Sequence, residues 1–486
     1  MSLSRARASN TRLRSTYPAG STATRLRGCG QLADLCAAMN YPLTLKLAQA
    51  LVGLRETVLD PLVSERAAIA FLDTVGVMIA ARSEPAVAGL KQTLDAIGAG
   101  PRDSAHSALV DGTAAHALDF DDVAFGGHIS AVLIPAIMAV AAPRGASIRE
   151  VVLAYVAGYE AWAELAAREA TLYHARGLHP TGLLGAVAAS VAVGSLLRLD
   201  EQGMARALAI GASQGAGLMA NFGSMIKPFH AGRAAQSGVL AAFLAQQEFT
   251  ASPDALEAPN GFLASYSPAG QVDLERPIQL DGHGPVLGRN APNIKRYPVC
   301  YAGHRAIDAV LELGSTSLMA DAVECIEIRL SPRHSDTLRY RDPETVAQAR
   351  FSLEFFAAAA LMRGWVGLSE LSDATLADPT VRPLMRKVER VLSHDFDPDL
   401  DGWARADRAA LILKDGTRLE SHPVRRPKGH AENPTSLEDV HRKFVDCLRS
   451  VGEGELAPSL FSAVSGLAEP DDGPIPAALR AVFVAS

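Results

Sequence analysis

Ala115-His116-Ala117-Leu118-Asp119-Phe120-Asp121-Asp122 is followed by His128 and then by an apolar, alanine-rich run over 131–142. The segment places three carboxylates and two imidazoles within fourteen residues, directly before a stretch that is apolar on every side. Carboxylates this close repel one another, and each prefers water to a protein interior. The sequence therefore predicts a buried helix with a titratable cluster at its start, whose repulsion is offset by a metal ion, a proton or a basic group.

Long apolar segments around this cluster predict a helical core. The runs at 131–142 and 183–197 are shorter than the roughly 20 residues of a membrane span, so we interpret both as buried helices. The run at 67–81 is apolar nearly all round, which is typical of a helix inside a bundle. From about 42 to 270 the pattern is helical almost throughout, and it includes a further helix at 204–220.

The character of the sequence changes after about residue 270. Alternating apolar and charged residues at 325–330 predict a strand with one exposed face. The segments 410–413 and 418–420 flank an Asp-Gly turn and predict a hairpin. Between them, 347–362 and 381–391 have the pattern of helices. This part of the chain therefore mixes helices with strands.

The last part of the chain is predicted to be helical again. Thr435-Ser436-Leu437-Glu438 matches a capping box, with apolar residues on one face of the segment that follows. A helix of this kind can rejoin the first helical region. We predict a mainly α protein, with a large, discontinuous all-helical domain over 39–270 and 431–486 and a smaller α+β domain over 271–430.

Composition narrows the class of protein. The 486 residues carry a net charge of −7, and no basic excess favours nucleic acid. Five scattered cysteines, without a C-x-x-C pair, indicate a reducing cytoplasm rather than a disulfide framework. The arginine-rich residues 1–38 are typical of a disordered tail, a targeting segment or a start codon placed too early. No membrane association is expected.

A second group of candidate site residues is basic. Lys227, His230 and Arg233 are spaced three apart, and Pro228 predicts the start of a helix that reaches about 247. Basic side chains near a helix N-terminus form a receptor for an anion. The alternative is a buried salt-bridge network between these cations and the aspartates of the acidic cluster.

Two weaker groups complete the candidates. Lys295-Arg296-Tyr297-Pro298-Val299-Cys300 lies in the α+β part, and it fits either a cleft that faces the helical part or a solvated loop. His179 precedes a proline and a buried helix, where it can bind a ligand or only anchor the turn.

Five motifs, in order, give the chain a specific resemblance. They are Leu72-Asp73-Thr74-Val75-Gly76, His116 to Asp122, Leu178-His179-Pro180-Thr181-Gly182, Lys227-Pro228-Phe229-His230-Ala231-Gly232-Arg233-Ala234-Ala235 and Lys295-Arg296-Tyr297-Pro298. Together with Asn433-Pro434 and Lys443-Phe444, they resemble the successive motifs of the MmgE/PrpD family. The likeness extends over about residues 42–450.

The resemblance implies a fold and an activity. Members include 2-methylcitrate dehydratase, cis-aconitate decarboxylase and iminodisuccinate epimerase. They have a discontinuous helical domain with a smaller lid domain, use neither metal nor organic cofactor, and are usually homodimers. Their substrates are small acids with two or three carboxylates. We therefore expect a small polycarboxylate substrate, no cofactor and a homodimer.

The resemblance also assigns roles to residues. Asp119, His128 and Lys227 would be active-site residues, with Lys295 contributed by the lid and His128 as the main proton-transfer group. Tyr173 is a candidate second acid. The remaining candidates would contact the substrate, and they are His230, Arg233, Lys295, Cys300, Asp122 and His179.

Two departures affect the choice of reaction. Decarboxylase-like members carry a Thr and a His where this chain has Val123 and Cys300, so cis-aconitate decarboxylation is disfavoured. We expect a hydro-lyase similar to 2-methylcitrate dehydratase, with an epimerase of an iminodisuccinate-like acid as the alternative. Two other interpretations stay open, namely a protein that binds acidic metabolites without catalysis and a helical enzyme that binds Mg²⁺ and a diphosphate through its aspartates.

Overall fold

The computed structural model describes six stretches of the chain, which are residues 42–98, 103–169, 171–280, 283–314, 321–400 and 402–484. The predicted N-terminal segment 1–38 lies outside the described residues. Among those described, no helix has the length and apolar character needed to cross a bilayer.

The first half of the described chain is helical, as predicted. Its ten helices are α1 (Leu43–Gly53), α2 (Pro61–Ala80), α3 (Pro85–Ala96), α4 (Ser104–Ala117), α5 (Ile129–Arg144), α6 (Ile148–Ala167), α7 (Pro180–Leu196), α8 (Glu201–Ala212), α9 (Ile226–Gln246) and α10 (Phe262–Tyr266). Every residue of α7 is buried, and so is α5 as far as Ala142. These are the two apolar runs that the sequence predicted as core helices.

The crossing of α4 and α9 is unusually close, and it determines where the candidate site lies. A Cβ atom added to Gly232 of α9 would lie 2.1 Å from the carbonyl oxygen of Leu109 in α4. A Cβ atom on Gly112 would lie 2.8 Å from the Cα atom of Gly232. Glycine is therefore required at this contact, which brings the start of α9 next to the end of α4.

The second half combines helices with a small sheet. Its elements are α11 (His304–Glu312), β1 (Val323–Leu330), α12 (Pro332–Thr337), α13 (Val346–Ala349), α14 (Leu353–Arg363), α15 (Asp373–Leu376), α16 (Val381–Met385), β2 (Val388–Leu392), β3 (Arg408–Leu413) and β4 (Arg418–Glu420). The strand order is β2-β1-β3-β4. β1 runs parallel to β2 and antiparallel to β3, and β3 pairs with β4 in the predicted hairpin.

Alternation along β1 places one face of the sheet in a core. Ile326, Ile328 and Leu330 are fully buried, and they share a cluster with Phe355 and Phe356 of α14. The strand and the hairpin were predicted correctly, because alternation and an Asp-Gly turn are local signals.

The C-terminal helices return to the first half. They are α17 (Leu437–Ser450), α18 (Ala457–Ser465) and α19 (Ala477–Val484). Phe444 of α17 packs against Gly76 of α2, where an added Cβ atom would lie 3.0 Å from the phenyl ring. The described part of the chain is therefore mainly α with a four-stranded sheet, while the predicted domain boundaries stay predictions.

Several predicted boundaries are wrong. The helix predicted at 381–391 ends at Met385, and Val388–Leu392 forms β2, because its backbone pairs with β1. The helix predicted at 347–362 is interrupted between α13 and α14, where the Ser352 side chain caps a new helix start. The helix predicted at 204–220 ends at Ala212, and α9 begins two residues before Pro228. The capping box is formed one residue later than predicted, by Ser436 and Asp439.

Candidate active site

Three helix N-termini converge on one pocket. His128 directly precedes α5, His179 directly precedes α7, and Lys227 is the second residue of α9. All three side chains line the same cavity, whose volume is about 170 Å³. The free N–H groups at the start of a helix carry partial positive charge and favour anions. The arrangement therefore suits a ligand with more than one carboxylate.

Local sequence explains how these helix starts are held. Pro180 is the first residue of α7 and Pro228 lies in the first turn of α9, where the missing N–H is not needed. The Thr181 hydroxyl accepts a hydrogen bond from the His128 N–H at 3.1 Å. At Gly182, an added Cβ atom would lie 1.9 Å from the Ala216 carbonyl oxygen, so the motif after His179 requires glycine.

Asp119 lies between two ammonium groups. Its Oδ1 atom accepts a hydrogen bond from Lys295 Nζ at 2.5 Å, and its Oδ2 atom lies 2.7 Å from Lys227 Nζ. Burial alone would raise the pKa of Asp119, but the two lysines outweigh burial and hold this pKa well below its ordinary value. Asp119 is thus a permanent anion that positions two cations.

The Asp119 backbone is held in a rare conformation. Its φ angle is +51°, which few residues other than glycine adopt. Lys295 Nζ also donates to the Asp119 carbonyl oxygen at 2.7 Å. Such backbone conformations cost of order 1–3 kcal/mol and tend to be found at functional sites. Here the conformation turns the chain sharply at the end of α4 and directs the carboxylate at both lysines.

Asp121 binds two imidazoles at once. Its oxygens lie 3.0 Å from Nδ1 of His116 and 2.9 Å from Nδ1 of His128, and the two rings are 4.1 Å apart. Burial lowers the pKa of His128 to about 3, although the Asp121 carboxylate opposes that shift. His128 is therefore neutral at neutral pH. We assign the proton to Nδ1, which lies 2.9 Å from the Asp121 carboxylate, and this leaves the lone pair on Nε2, which is 3.8 Å from Asp119 Oδ1.

Asp122 points away from the pocket, which corrects its predicted role in substrate binding. It is fully buried and accepts hydrogen bonds from the Ser130 N–H, at 3.4 Å, and from the Ser130 hydroxyl. Ser130 in turn lies 2.8 Å from the Tyr155 hydroxyl. Burial, together with the nearby charge of Asp73, raises the pKa of Asp122 to about 8. This carboxyl group is accordingly protonated at neutral pH, and it forms part of the buried hydrogen-bond network between the helices.

Six of the residues predicted from the sequence line the pocket. They are Asp119, His128, His179, Lys227, Lys295 and Cys300. Lys295 comes from the second half of the chain, so both halves contribute to the cavity. The Cys300 thiol faces it with a pKa raised by burial. Val123 also lines it.

Three predicted residues lie elsewhere. His230 is outside the pocket lining and contacts it through His179, with the two Nδ1 atoms 3.1 Å apart. Arg233 is exposed and contacts Gln236, so it does not clamp a ligand in this cavity. Tyr173 is buried beside the pocket, and burial raises the pKa of its hydroxyl, which makes it a poor acid. The three-residue spacing did not place Arg233 in the pocket, because residues spaced three apart move progressively around the helix axis.

Sequence reasoning missed several lining residues. His174, Tyr301, Arg333, His334 and Trp403 all border the cavity. Tyr301 and His174 directly follow residues that the sequence did single out, Cys300 and Tyr173. The other three are separated from every motif, so only the tertiary structure reveals them.

A metal ion fits this donor set poorly. His116, Asp119, Asp121 and His128 offer ligand atoms within 4.8 Å of one another. However, both oxygens of Asp119 already contact an ammonium group, and like charges a few ångströms apart repel strongly in a buried site. The lysines thus supply the positive charge that a metal would otherwise provide.

Comparison with known proteins agrees with the motifs. The model of the MmgE/PrpD N-terminal domain matches residues 45–275, and that of the C-terminal domain matches residues 297–460. Cis-aconitate decarboxylase of Mus musculus is 27% identical over 382 residues, which cover 76% of each chain. The enzymes of Homo sapiens and Aspergillus terreus are also 27% identical, over 76% and 70% of this chain and 77% and 73% of their own. The chain therefore belongs to the MmgE/PrpD family, a family of lyase type, as its motifs predicted.

Proposed function

We propose that this protein is a cofactor-independent lyase that acts beside a carboxylate of a small di- or tricarboxylic acid. The preferred reaction is the elimination of water, similar to that of 2-methylcitrate dehydratase. One observation carries the proposal: the neutral imidazole of His128 shares a buried pocket with the ammonium groups of Lys227 and Lys295. Removing a proton from the carbon next to a carboxylate requires a base and fixed positive charges that stabilise the negative charge developing on that carboxylate.

His128 is the proton-transfer group. Its Nε2 atom has a free lone pair, since Nδ1 lies against Asp121. The base takes the proton from the carbon next to the carboxylate, and the electron pair spreads onto that carboxylate. The resulting imidazolium then returns the proton to the departing hydroxyl, which leaves as water. The same imidazole therefore acts as the base in the first step and as the acid in the second.

Lys227 and Lys295 stabilise the charge that develops. Lys227 contacts the Asp119 carboxylate once, and Lys295 contacts both the carboxylate and the backbone carbonyl of Asp119. An ammonium group has three N–H donors, so each lysine retains at least one for a ligand. Phe222 and Phe351 flank Lys227, with the ammonium nitrogen 5.2 Å from each ring centre. The aromatic rings limit access of water, and a preorganised cation acts more strongly where water is excluded.

The protonation state of His128 supports dehydration over decarboxylation. Loss of CO2 leaves an electron pair on carbon, and a proton must then be supplied from an acid. A neutral imidazole begins the cycle as a base and not as an acid. Val123 and Cys300 support the same choice, because a valine side chain donates no hydrogen bond and a thiol with a raised pKa is a poor acid.

A second candidate is decarboxylation of cis-aconitate. The similarity to cis-aconitate decarboxylases of three organisms over most of the chain favours it. In that case the bound substrate would have to raise the pKa of His128. The homodimer and the cytoplasmic location expected from the sequence remain part of the proposal.

The test is a product analysis in D2O. Purified protein is incubated with 2-methylcitrate, citrate, cis-aconitate and an iminodisuccinate analogue, and NMR follows alkene formation, CO2 loss and deuterium uptake. Alkene formation from a hydroxy acid supports the hydro-lyase. CO2 release from cis-aconitate alone supports the second candidate, and deuterium uptake without elimination indicates an epimerase. Inertness toward all four acids would favour a non-catalytic binding protein.

Substitution of His128 links the reaction to this pocket. We expect His128→Asn to reduce turnover by about 10²- to 10⁴-fold, while the exposed His394→Asn serves as a control with unchanged turnover. Added EDTA should have no effect in either variant. A His128→Asn protein within threefold of the unmodified enzyme would remove His128 from the proposed role.

A further inference from the structure

Lys443 belongs to a sequence motif that the proposed reaction does not use. It lies in α17, and its side chain is only 9% exposed. Asp73, from the first motif, lies in α2 with a fully buried side chain, and its Oδ1 atom is 2.5 Å from the Lys443 ammonium nitrogen. Neither residue lines the active-site cavity. Any role that this ion pair has in the reaction must therefore act through other residues.

The Lys443 ammonium group joins the two chain segments that carry Asp119 and Lys295. It donates hydrogen bonds to the Phe120 carbonyl oxygen at 2.6 Å and to the Lys295 carbonyl oxygen at 2.8 Å. Its nitrogen also lies 3.8 Å from the centre of the Phe120 ring. Two of the three N–H donors of this ammonium group therefore hold backbone, while the carboxylate of Asp73 balances its charge.

Phe120 lies between the two carboxylates that organise the site. Asp119, before it, contacts both lysines of the pocket, and Asp121, after it, lies 2.9 Å from Nδ1 of His128. The Asp119 carbonyl oxygen accepts a hydrogen bond from one of those lysines, and the next carbonyl oxygen along the chain accepts one from Lys443. Two ammonium groups thus hold successive carbonyl oxygens of this turn, in which the φ angle of Asp119 is +51°.

We propose that Lys443 is a positioning residue, which fixes the backbone between Asp119 and Asp121 so that His128 is aligned with the substrate. The proposal rests on the function proposed above, since it concerns the alignment of the same base. Asp73 keeps the cation in place, because a buried ammonium group without a counter-ion is costly. The C-terminal helix α17 thereby takes part in assembling the site.

A purely structural role of the ion pair would give a different result. Lys443→Met keeps the length of the side chain, removes both hydrogen bonds to carbonyl groups and leaves Asp73 buried without its cation. This variant should therefore be less stable. Adding Asp73→Asn removes the uncompensated charge and should recover stability, but it cannot restore the contacts to the two carbonyl groups. The double variant thus separates stability from positioning.

A second buried cation offers a matched control. Arg168 lies 2.5 Å from Glu164 of α6. It also donates hydrogen bonds to three carbonyl oxygens, those of Asp273, Leu274 and Arg276. None of these five residues lines the active-site cavity. The control variant Arg168→Met, Glu164→Gln therefore removes the same kinds of contact away from the pocket.

The test combines kinetics, stability and a proton NMR signal. Steady-state rates are measured with the acid that the D2O analysis identifies as the substrate, and urea unfolding measures stability. The N–H proton on His128 Nδ1 faces a carboxylate and should give a low-field resonance, which its loss in His128→Asn assigns. This resonance reports the alignment of Asp121 with His128 whether or not the protein turns over a substrate.

We expect kcat of the Lys443→Met, Asp73→Asn variant to fall by about 10²-fold, because a misplacement of about 1 Å can have an effect of this size. KM should stay within about threefold, since both lysines that bind the substrate carboxylate remain. The low-field resonance should shift. The control variant should change neither kcat nor the resonance.

Recovery of kcat together with stability would overturn the positioning role, and so would a loss confined to KM or an equal loss of kcat in the control variant. An unshifted resonance would overturn it as well. If none of the acids is a substrate, the proposed reaction fails and the resonance alone decides. A shift in the double variant but not in the control would then retain the role of Lys443.

Discussion

Replacement of Asp119 by Asn tests the charge arrangement most directly. The substitution keeps the shape of the side chain and removes the anion shared by Lys227 and Lys295. Their side chains are 7% and 1% exposed, so neither ammonium group can turn to bulk water. Removing one partner of a buried ion pair typically costs 3–5 kcal/mol. The free energy of unfolding of most proteins is only about 5–15 kcal/mol, so a loss of 3–5 kcal/mol would destabilise this protein severely.

The assay is unfolding in urea at pH 7, followed by circular dichroism. Asp60→Asn is the control, because Asp60 is an exposed helix cap and Asn caps a helix equally well. Replacing Lys295 by Met in the Asp119→Asn background should recover part of the stability, since one uncompensated charge is removed. Saturating citrate should stabilise Asp119→Asn more than the unmodified protein, because its carboxylates substitute for the missing one.

The reasoning would be refuted by an Asp119→Asn protein within about 1 kcal/mol of the unmodified protein. That result would mean that the two ammonium groups find sufficient compensation without the carboxylate, and the description of Asp119 as the organiser of the site would fail. A Lys295→Met substitution that gave no recovery would locate the defect in the backbone turn instead.

Three further predictions concern titration and packing. Because the pKa of His128 is about 3, kcat/KM measured between pH 5 and 8 should show no acid limb from this group; a limb near pH 6.5 would contradict the assignment. The pKa of Asp122 is raised to about 8, so its stabilising contribution is complete below about pH 4 and lost as pH rises toward 8; Asp122→Asn should flatten that decline in unfolding free energy. Gly232→Ala should destabilise the protein by at least about 1–3 kcal/mol in urea through overpacking, whereas Gly89→Ala, with nothing within 4 Å, should not.

Local signals in the sequence were sufficient for much of the fold. Apolar runs without a polar face predicted α5 and α7, and strict alternation predicted β1. The segment 388–391 was assigned to a helix because so short a run, with valines at 388 and 391, fits a helix or a strand equally well. Its strand conformation depends on hydrogen bonds to β1, some sixty residues away in sequence.

The residues of the candidate site also fall into two groups, those that the sequence indicated and those that only the tertiary structure revealed. The acidic cluster with Asp119 and His128 stood out in the sequence, because titratable groups beside buried segments are costly, and the family motifs added Lys227 and Lys295 to the candidates. All four line the pocket. Only the tertiary structure separated Asp121, which holds His128, from Asp122, which belongs to the core. It alone brought Tyr301, His334 and Trp403 to the pocket. The physical reason is that residue types report chemical capacity, whereas protonation state, orientation and partners depend on burial and on neighbours that are distant in the chain.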